Sequence, residues 1–454
     1  MHLKRNLIKL LVAAVIVLPF TLRAQTSSVN AHSPFSMYGI GEQNTPGALP
    51  MRSMGGAGVA WRGAGVINML NPAGYSAIPQ KSFLFNFGVE GQNYYNSQRV
   101  SGVDKSSAYN TFNFHDIAFQ MPLAKKLGLG FSLSPYSSVG YDIRYDHPYN
   151  PDDAVSLNKV QYNYVGDGDI TELKLGIGWE VFKNFSVGIA AQYYWGDIKR
   201  EFMTTTVGIV GNTSPITTAG KSNYSVSRLK GQVGVQWMPI VNERRALTVG
   251  ATYDFGGDLK PSVSNAIYAS GDVQTSVVQN EQMYLSLSLP KQFAFGANYQ
   301  TPKWTLLADY VYQGWGSGNK GTEMSGTTDG KYFKVGYTNT STIKLGVEYI
   351  PSRYDIRHFL KRWSYRVGFR YGNYNQTFDG HRLAQYAVTA GFGIPVKFLG
   401  VTTIDVGLEF GRRGYNVAER IGLVRQQYFK FAVGFTLFAG GENQEYWFLR
   451  PKYD

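Results

Sequence analysis

Cysteine is absent from all 454 residues. Its absence excludes disulfides and thiol chemistry, so backbone pairing and packing must hold the fold. Histidine is scarce, with 6 residues. No His, Asp or Glu spacing resembles a metal site, and neither a metal nor another cofactor is expected. Long apolar runs are missing too. Beyond the N-terminus nothing approaches the roughly 20 residues a membrane-spanning helix needs. Helical periodicity is hardly readable after residue 80, which argues against a soluble α/β enzyme.

The N-terminus itself reads as a secretory signal. Lys4, Arg5 and Lys9 form a basic head, and Leu10 to Phe20 an apolar core too short to span a bilayer. Leu22-Arg23-Ala24 is an acceptable cleavage site, which makes residues 1–24 the expected signal peptide and Gln25 the expected mature start. No cysteine follows, so a lipoprotein anchor is excluded. The formal charge of +13 includes Lys4, Arg5, Lys9 and Arg23 of this leader, and without them it is about +9. The remaining cations stand singly or as short pairs (Lys125-Lys126, Arg244-Arg245, Lys361-Arg362) rather than in a stripe, so no nucleic-acid partner is expected.

What is abundant is glycine and aromatic surface: 52 Gly, 32 Tyr, 27 Phe and 8 Trp, at a mean hydropathy of -0.22. The stretch from Leu289 to Trp315 is typical. Phe293, Phe295, Ala297 and Tyr299 share one parity, Trp304, Leu306, Ala308, Tyr310 and Tyr312 the next, while Gly296, Asn298, Thr305 and Asp309 fall opposite. A period of two gives each strand one wet and one greasy face. Fourteen such segments are expected near 81–95, 108–121, 127–143, 161–180, 185–203, 223–239, 246–256, 282–299, 304–315, 340–351, 362–376, 386–395, 400–412 and 427–438. The fold class is therefore all-β, a transmembrane antiparallel β-barrel.

Its links sort by parity. Those around 122–126, 181–184, 240–245, 300–303 and 396–399 are short. Those at 144–160, 204–222, 257–281 and 316–339 are long. Outer-membrane barrels have short periplasmic turns and longer outer loops, so both ends of the mature chain are expected in the periplasm. The link from Ser352 to Lys361 is longer than its class should be.

Charges lie on the parity opposite the greasy face: Lys174, Arg228, Lys230, Asp309, Lys344, Glu348, Arg366, Arg370, Asp405 and Glu409. Lipid would penalise an Arg or Lys at mid-depth by about 2–4 kcal/mol, so these residues are expected in the lumen. There Arg366 and Arg370 of the eleventh strand are expected to pair across neighbouring strands with Asp405 and Glu409 of the thirteenth, in a structural network. A His115-Asp116 pair interrupts the parity of the second strand and is expected to mark a bulge; no serine is placed beside it, and no catalytic residue is assigned.

Residues 25–80 differ, being Gly-rich and irregular. Val59, Ile67, Met69 and Leu70 need burial, and the segment is too short for a core of its own, so the barrel interior is its expected place. Here a resemblance becomes specific. The MGGAGVA…NPAG segment is similar to the plug of the FadL family of outer-membrane channels for hydrophobic compounds. The Leu289-Pro290…Gly296…Trp304…Asp309…Trp315 pair resembles that family's later signature. The leading SPFSMYGIG and the tail YWFLRPKYD look like its Bacteroidetes-type members. The resemblance implies a plug at residues 25–80 holding Asn71, Pro72, Ala73 and Gly74 in the lumen, a barrel over 81–438 and a periplasmic tail over 439–454. Trp61-Arg62-Gly63 stands where the family usually has acidic residues.

In that family a kink in the third strand opens the wall. Pro135, Tyr136 and Gly140 sit at the matching place, and proline marks an irregularity in any closed barrel. Pro290 is expected to mark a second irregularity inside the eighth strand. The expected function is passive uptake of long-chain fatty acids or other hydrophobic compounds with lateral exit into membrane lipid. The alternative is a structural or adaptor subunit of a larger outer-membrane assembly. In it, the tail (Trp447, Phe448, Arg450, Lys452) would contact other outer-membrane or periplasmic proteins.

Overall fold

The computed structural model describes residues 33–100, 103–147, 158–208, 216–259, 262–270, 276–280, 287–319, 324–328, 331–397, 401–416 and 423–440. The expected signal peptide and nearly all of the expected tail lie outside them.

Fourteen strands close into an antiparallel barrel. They are β2 (Ser82–Val100), β3 (Val103–Ala124), β4 (Leu127–His147), β5 (Asn158–Phe182), β6 (Phe185–Gly208), β7 (Ile216–Val241), β8 (Ala246–Asp254), β13 (Gln292–Gln300), β14 (Trp304–Gln313), β17 (Thr340–Tyr349), β18 (Ser364–Phe378), β19 (His381–Lys397), β20 (Val401–Arg413) and β21 (Arg425–Gly440). The first and last pair along their length, from Ser82↔Gly440 to Ser97↔Arg425, which removes the open sheet edge that hydrocarbon does not tolerate. No helix among the described residues is long and apolar enough to cross a membrane.

Short strands complete the chain: β1 (Glu42–Gln43) in the leading segment, β9 (Gly257–Asp258), β10 (Ser262–Ser270), β11 (Ser276–Asn280), β12 (Ser288–Leu289), β15 (Met324–Thr328) and β16 (Lys331–Tyr337). The β10–β11 hairpin pairs with the far half of β7, and β15–β16 extends β18. At 25 and 26 residues, β5 and β7 exceed the roughly 9–11 a membrane crossing requires, so the long-loop end stands beyond the membrane as a collar.

The two faces separate as the alternation demands. Leu175, Ile177, Trp179, Phe293, Phe295, Ile343, Leu345, Phe429 and Phe431 are exposed on the outer wall, while Lys174, Asp309, Lys344 and Lys430 on the other parity are buried inside. His115 is the extra residue where Asp116 pairs with Gly88 and Phe114 with Val89.

The eighth strand differs from its expected span. It begins at Gln292, and Pro290 lies outside it, between β12 and β13. Proline cannot donate to a ladder, and the chain joins the wall only after it. The ninth ends at Gln313, and Trp315 begins a short helical turn with its ring wholly buried.

Candidate functional site

Most of residues 33–78 packs against the inward faces of the barrel strands. The segment is irregular, so its backbone groups cannot satisfy one another and the wall must supply partners. Inward side chains do so strand by strand. Lys174 Nζ donates to Met69 O (2.9 Å), Gln236 Nε2 to Val59 O (3.0 Å), Gln232 Nε2 to Leu70 O (3.2 Å) and Gln120 Nε2 to Asn68 O (3.2 Å). Asp309 Oδ2 accepts from the backbone N–H groups of Gly58 (2.7 Å) and Val59 (2.9 Å), and Lys344 Nζ donates to Gly56 O (3.3 Å). Val59, Ile67 and Met69 are buried and Leu70 is half-buried, as their apolar character requires.

The NPAG turn is built locally and then cradled. Asn71 is extended (φ -130°, ψ 114°), its side chain accepts from Ala73 N–H, and a 3-10 turn runs over Pro72–Ala77. Asn71 also donates to Val235 O (3.0 Å). Facing it, Gly128, Gly178, Gly188 and Gly234 pair across β4 to β7. A Cβ on Gly188 would come within 2.4 Å of Ala73 N, and one on Gly178 within 2.3 Å of Pro72 O. These glycines thin the wall where the turn presses against it. Arg62 fixes the turn from the other side, donating to Ala73 O (3.1 Å) and Ser76 Oγ (2.9 Å) and lying 3.5 Å from Glu180.

The expected lumen network divides in two. Arg366 bonds both Glu348 (2.8 Å) and Asp405, and Arg370 bonds Glu409 (2.6 Å). Arg366–Glu348 joins the adjacent strands β18 and β17, whereas the two expected pairs, Arg366–Asp405 and Arg370–Glu409, do not join adjacent strands. They reach from β18 to β20 across β19, whose residues opposite Arg366 and Asp405 are Gly391 and Gly393. Asp309 and Lys344 sit opposite each other on β14 and β17 and hold the leading segment.

Between β3 and β4 the wall is interrupted. Their pairing runs from Ala124↔Leu127 up to Ile117↔Leu133 and stops. Proline at 135 lacks the N–H to continue the ladder, and the β4–β5 register shifts between Pro135 and Ser137 around Tyr136. The leading segment takes the vacated edge. Glu42 and Gln43 of β1 pair with Ser138 and Ser137, Asn44 N–H donates to Tyr136 O (3.0 Å), and Ser33 N–H donates to Gly140 O (2.8 Å). Gly140 N–H in turn donates to Ser36 Oγ (3.0 Å). Behind this edge lies an apolar cluster of Val139, Tyr141, Ile170, Tyr194 and Val226. The leading segment fills it with Ile40 and Met37.

A cavity lined by Leu49, Arg52, Ser53, Leu408, Glu409 and Lys430 holds about 10 Å³, room for about one water and far below the roughly 300–1,000 Å³ of a ligand pocket. Among the described residues no group of three or more His, Asp or Glu is placed to hold a metal.

Solved structures with this architecture include the Ralstonia pickettii toluene transporter TbuX, at 15% identity and a TM-score of 0.54, covering 86% of this chain and 98% of that one. A Pseudomonas aeruginosa FadL homologue matches at 13% identity and a TM-score of 0.58, covering 87% and 99%. The P. putida toluene transporter TodX matches at 13% identity and a TM-score of 0.55, covering 88% and 99%. The fold is thus that of the FadL-like outer-membrane barrels. No curated protein matches the sequence. A family model described as BamG matches residues 7–454. The chain belongs to the BamG family.

Several residues that secure this BamG-family interior were not singled out from sequence. Arg52 pairs with Glu90, Arg413 with Glu42 (2.8 Å), and Asn68 donates to Gly58 O (2.9 Å) and Trp61 O (2.8 Å). The leading segment has no period, so nothing in its pattern marks which side chains meet the wall. The inward parity of Glu90 and Arg413 was the available signal.

Proposed function

We propose that this barrel is an outer-membrane channel for hydrophobic compounds, in which the leading segment is the plug and the interrupted β3–β4 wall is a lateral exit to the membrane. Support comes chiefly from the loss of β3–β4 pairing above Leu133, with a displaceable two-residue strand in its place. Beside that edge lies an apolar cluster occupied by Ile40 and Met37, where a greasy solute could replace them. A side passage lets the solute keep most of the roughly 0.8 kcal/mol that burial of each CH₂ contributes, because it never crosses a long wet pore. The named structural relatives include toluene transporters, which agrees with this class of cargo. The short-turn end, where β2 begins and β21 ends, is assigned to the periplasm.

A disulfide tests the exit. Gln43 and Ser137 are Cα partners, and the chain has no other thiol. In the Gln43→Cys/Ser137→Cys variant, oxidation should reduce uptake of a labelled long-chain fatty acid or toluene by roughly tenfold or more, and reduction should restore it. Uptake indifferent to the bond overturns the lateral route.

The hydrogen bonds that tie the leading segment to the wall favour a second reading, in which the barrel is a sealed structural subunit of a larger outer-membrane assembly. Purification in mild detergent separates the two. Co-purified apolar lipid with a lone barrel supports the channel, and stoichiometric partner proteins support the subunit.

A further inference from the structure

The β17–β18 link is the one connection at the short-turn end that is long, and its shape is ordered. Ile350 N–H donates to Lys303 O of the neighbouring turn (2.8 Å), at the level of the barrel rim. One step further out, Ser352 N–H donates to Lys361 O (2.8 Å), so residues 353–360 project past that rim. Asp355 then ties the tip, its Oδ1 accepting from the backbone N–H groups of Arg357 (2.9 Å) and His358 (2.7 Å).

The tip presents apolar side chains to solvent far more openly than the barrel wall does. Tyr354 is 90% and Ile356 95% exposed, against 46% for Trp304 and 45% for Phe293 on the outer wall. Around them stand Arg353, Arg357, Lys361 and Arg362, with Asp355 the one acid between Pro351 and Trp363. That acid accepts from the turn's N–H groups and also lies 3.7 Å from Lys361 Nζ, so the three arginines carry the excess charge.

The base of the loop leans on the lipid-facing wall. Trp363 stacks on Tyr365 (6.5 Å) and Phe392 (5.6 Å), which are cross-strand partners on the outward face. Phe359 meets Trp363 edge-on (5.8 Å), and the Arg362 guanidinium lies over the Phe359 ring (5.0 Å). Tyr365 OH donates to Leu360 O (3.1 Å), fixing the same base. The loop therefore continues the aromatic outer surface of the barrel instead of folding over the lumen.

We infer that residues 352–363 form a foot that docks onto the anionic phospholipid surface at the short-turn end of the barrel. Aromatic and aliphatic side chains enter the headgroup boundary, and Arg353, Arg357 and Arg362 meet phosphates. Interfacial elements combine these two residue classes in this way. An acidic protein would also answer the charge, but the aromatic base joins the loop to the hydrocarbon-facing belt, which favours lipid. The inference needs only that the barrel lies in a bilayer and is independent of whether any solute crosses it.

Site-specific fluorescence tests it, because the chain lacks native cysteine. Ile356→Cys and, separately, Tyr354→Cys are labelled with an environment-sensitive dye, and Lys303→Cys in the adjacent turn serves as the control. The barrels are reconstituted in nanodiscs of phosphatidylcholine with or without phosphatidylglycerol. Phosphatidylglycerol should blue-shift the dye at 356 and 354 and raise its quenching by spin-labelled lipid roughly twofold or more, with little change at 303. Arg353→Glu/Arg357→Glu, or high salt, should remove the gain. A dye at 356 as water-exposed as that at 303 in every disc overturns the inference. So does quenching indifferent to lipid charge, or protection that requires a co-purified protein.

Discussion

Arg366 stands between two carboxylates in a nearly dry wall, with Glu348 on one side and Asp405 on the other. Removing one partner of a buried pair leaves an uncompensated charge, which typically costs about 3–5 kcal/mol. Arg366→Met should therefore lower the stability of the folded barrel by that order, read from the urea midpoint of refolding into detergent micelles. Adding Glu348→Gln and Asp405→Asn should recover most of the loss, because no bare charge then remains. Gly188 makes the opposite argument through space. A side chain there collides with the backbone at Pro72 and Ala73, and overpacking of this kind costs about 1–3 kcal/mol. Gly188→Val should leave strand content unchanged by circular dichroism while making the Asn71–Gly74 turn accessible to protease.

At the scale of single elements, β4 carries the decisive break. Proline at 135 ends the pairing with β3, and β1 occupies the edge with only two paired residues. So short a strand is held chiefly by its neighbours, above all Ile40 and Met37 in the apolar cluster. Truncating both to alanine should loosen β1 and raise solute uptake under the channel reading; unchanged uptake would count against gating by this segment. The projecting loop has its own pH dependence. The His358 backbone N–H, and then that of Arg357, hold the Asp355 carboxyl below its ordinary value of 3.8. A depressed carboxylate stabilises the loop above the ordinary value, and that contribution is lost as pH falls through the depressed one. Dye mobility at position 356 in detergent should thus rise only on strong acidification, and Asp355→Asn should show the raised mobility at neutral pH.

For the whole molecule, the leading segment and the wall satisfy each other's polar groups, so neither is complete alone. Deleting residues 33–81 would strand Asp309, Lys344, Lys174 and Glu90 around an emptied lumen. The expected product still closes into a barrel, because the ladder from β2 to β21 does not involve the segment, and conducts ions in a planar bilayer where the full chain does not. Absence of conductance would mean that the collar or the wall charges close the lumen without it.

Much of this was legible in the residues. The alternation of Leu173, Leu175, Ile177 and Trp179 with Lys174, Gly176 and Gly178 marks both the strand and its orientation, because hydrocarbon and a wet lumen impose opposite demands two residues apart. The same alternation located Asp309, Lys344 and Arg366 in the interior but did not say what each would touch. It read Arg366 and Asp405 as joining adjacent strands, whereas small residues on β19 let them meet across it. Pro290 was read as lying within a strand, although the chain joins the wall only at Gln292. Nothing periodic marked Arg52, Arg62 or Asn68, since an irregular segment carries no repeat from which a facing side can be deduced.

Sequence by itself determined a sealed fourteen-strand cylinder, because alternation is a local property that each strand repeats independently. Tertiary structure alone decided which inward groups hold the leading segment, where the wall parts beside Pro135, and that the Ser352–Lys361 link stands out past its neighbours. Those features depend on side chains far apart in the chain being brought within a few ångströms, and no local pattern encodes that distance.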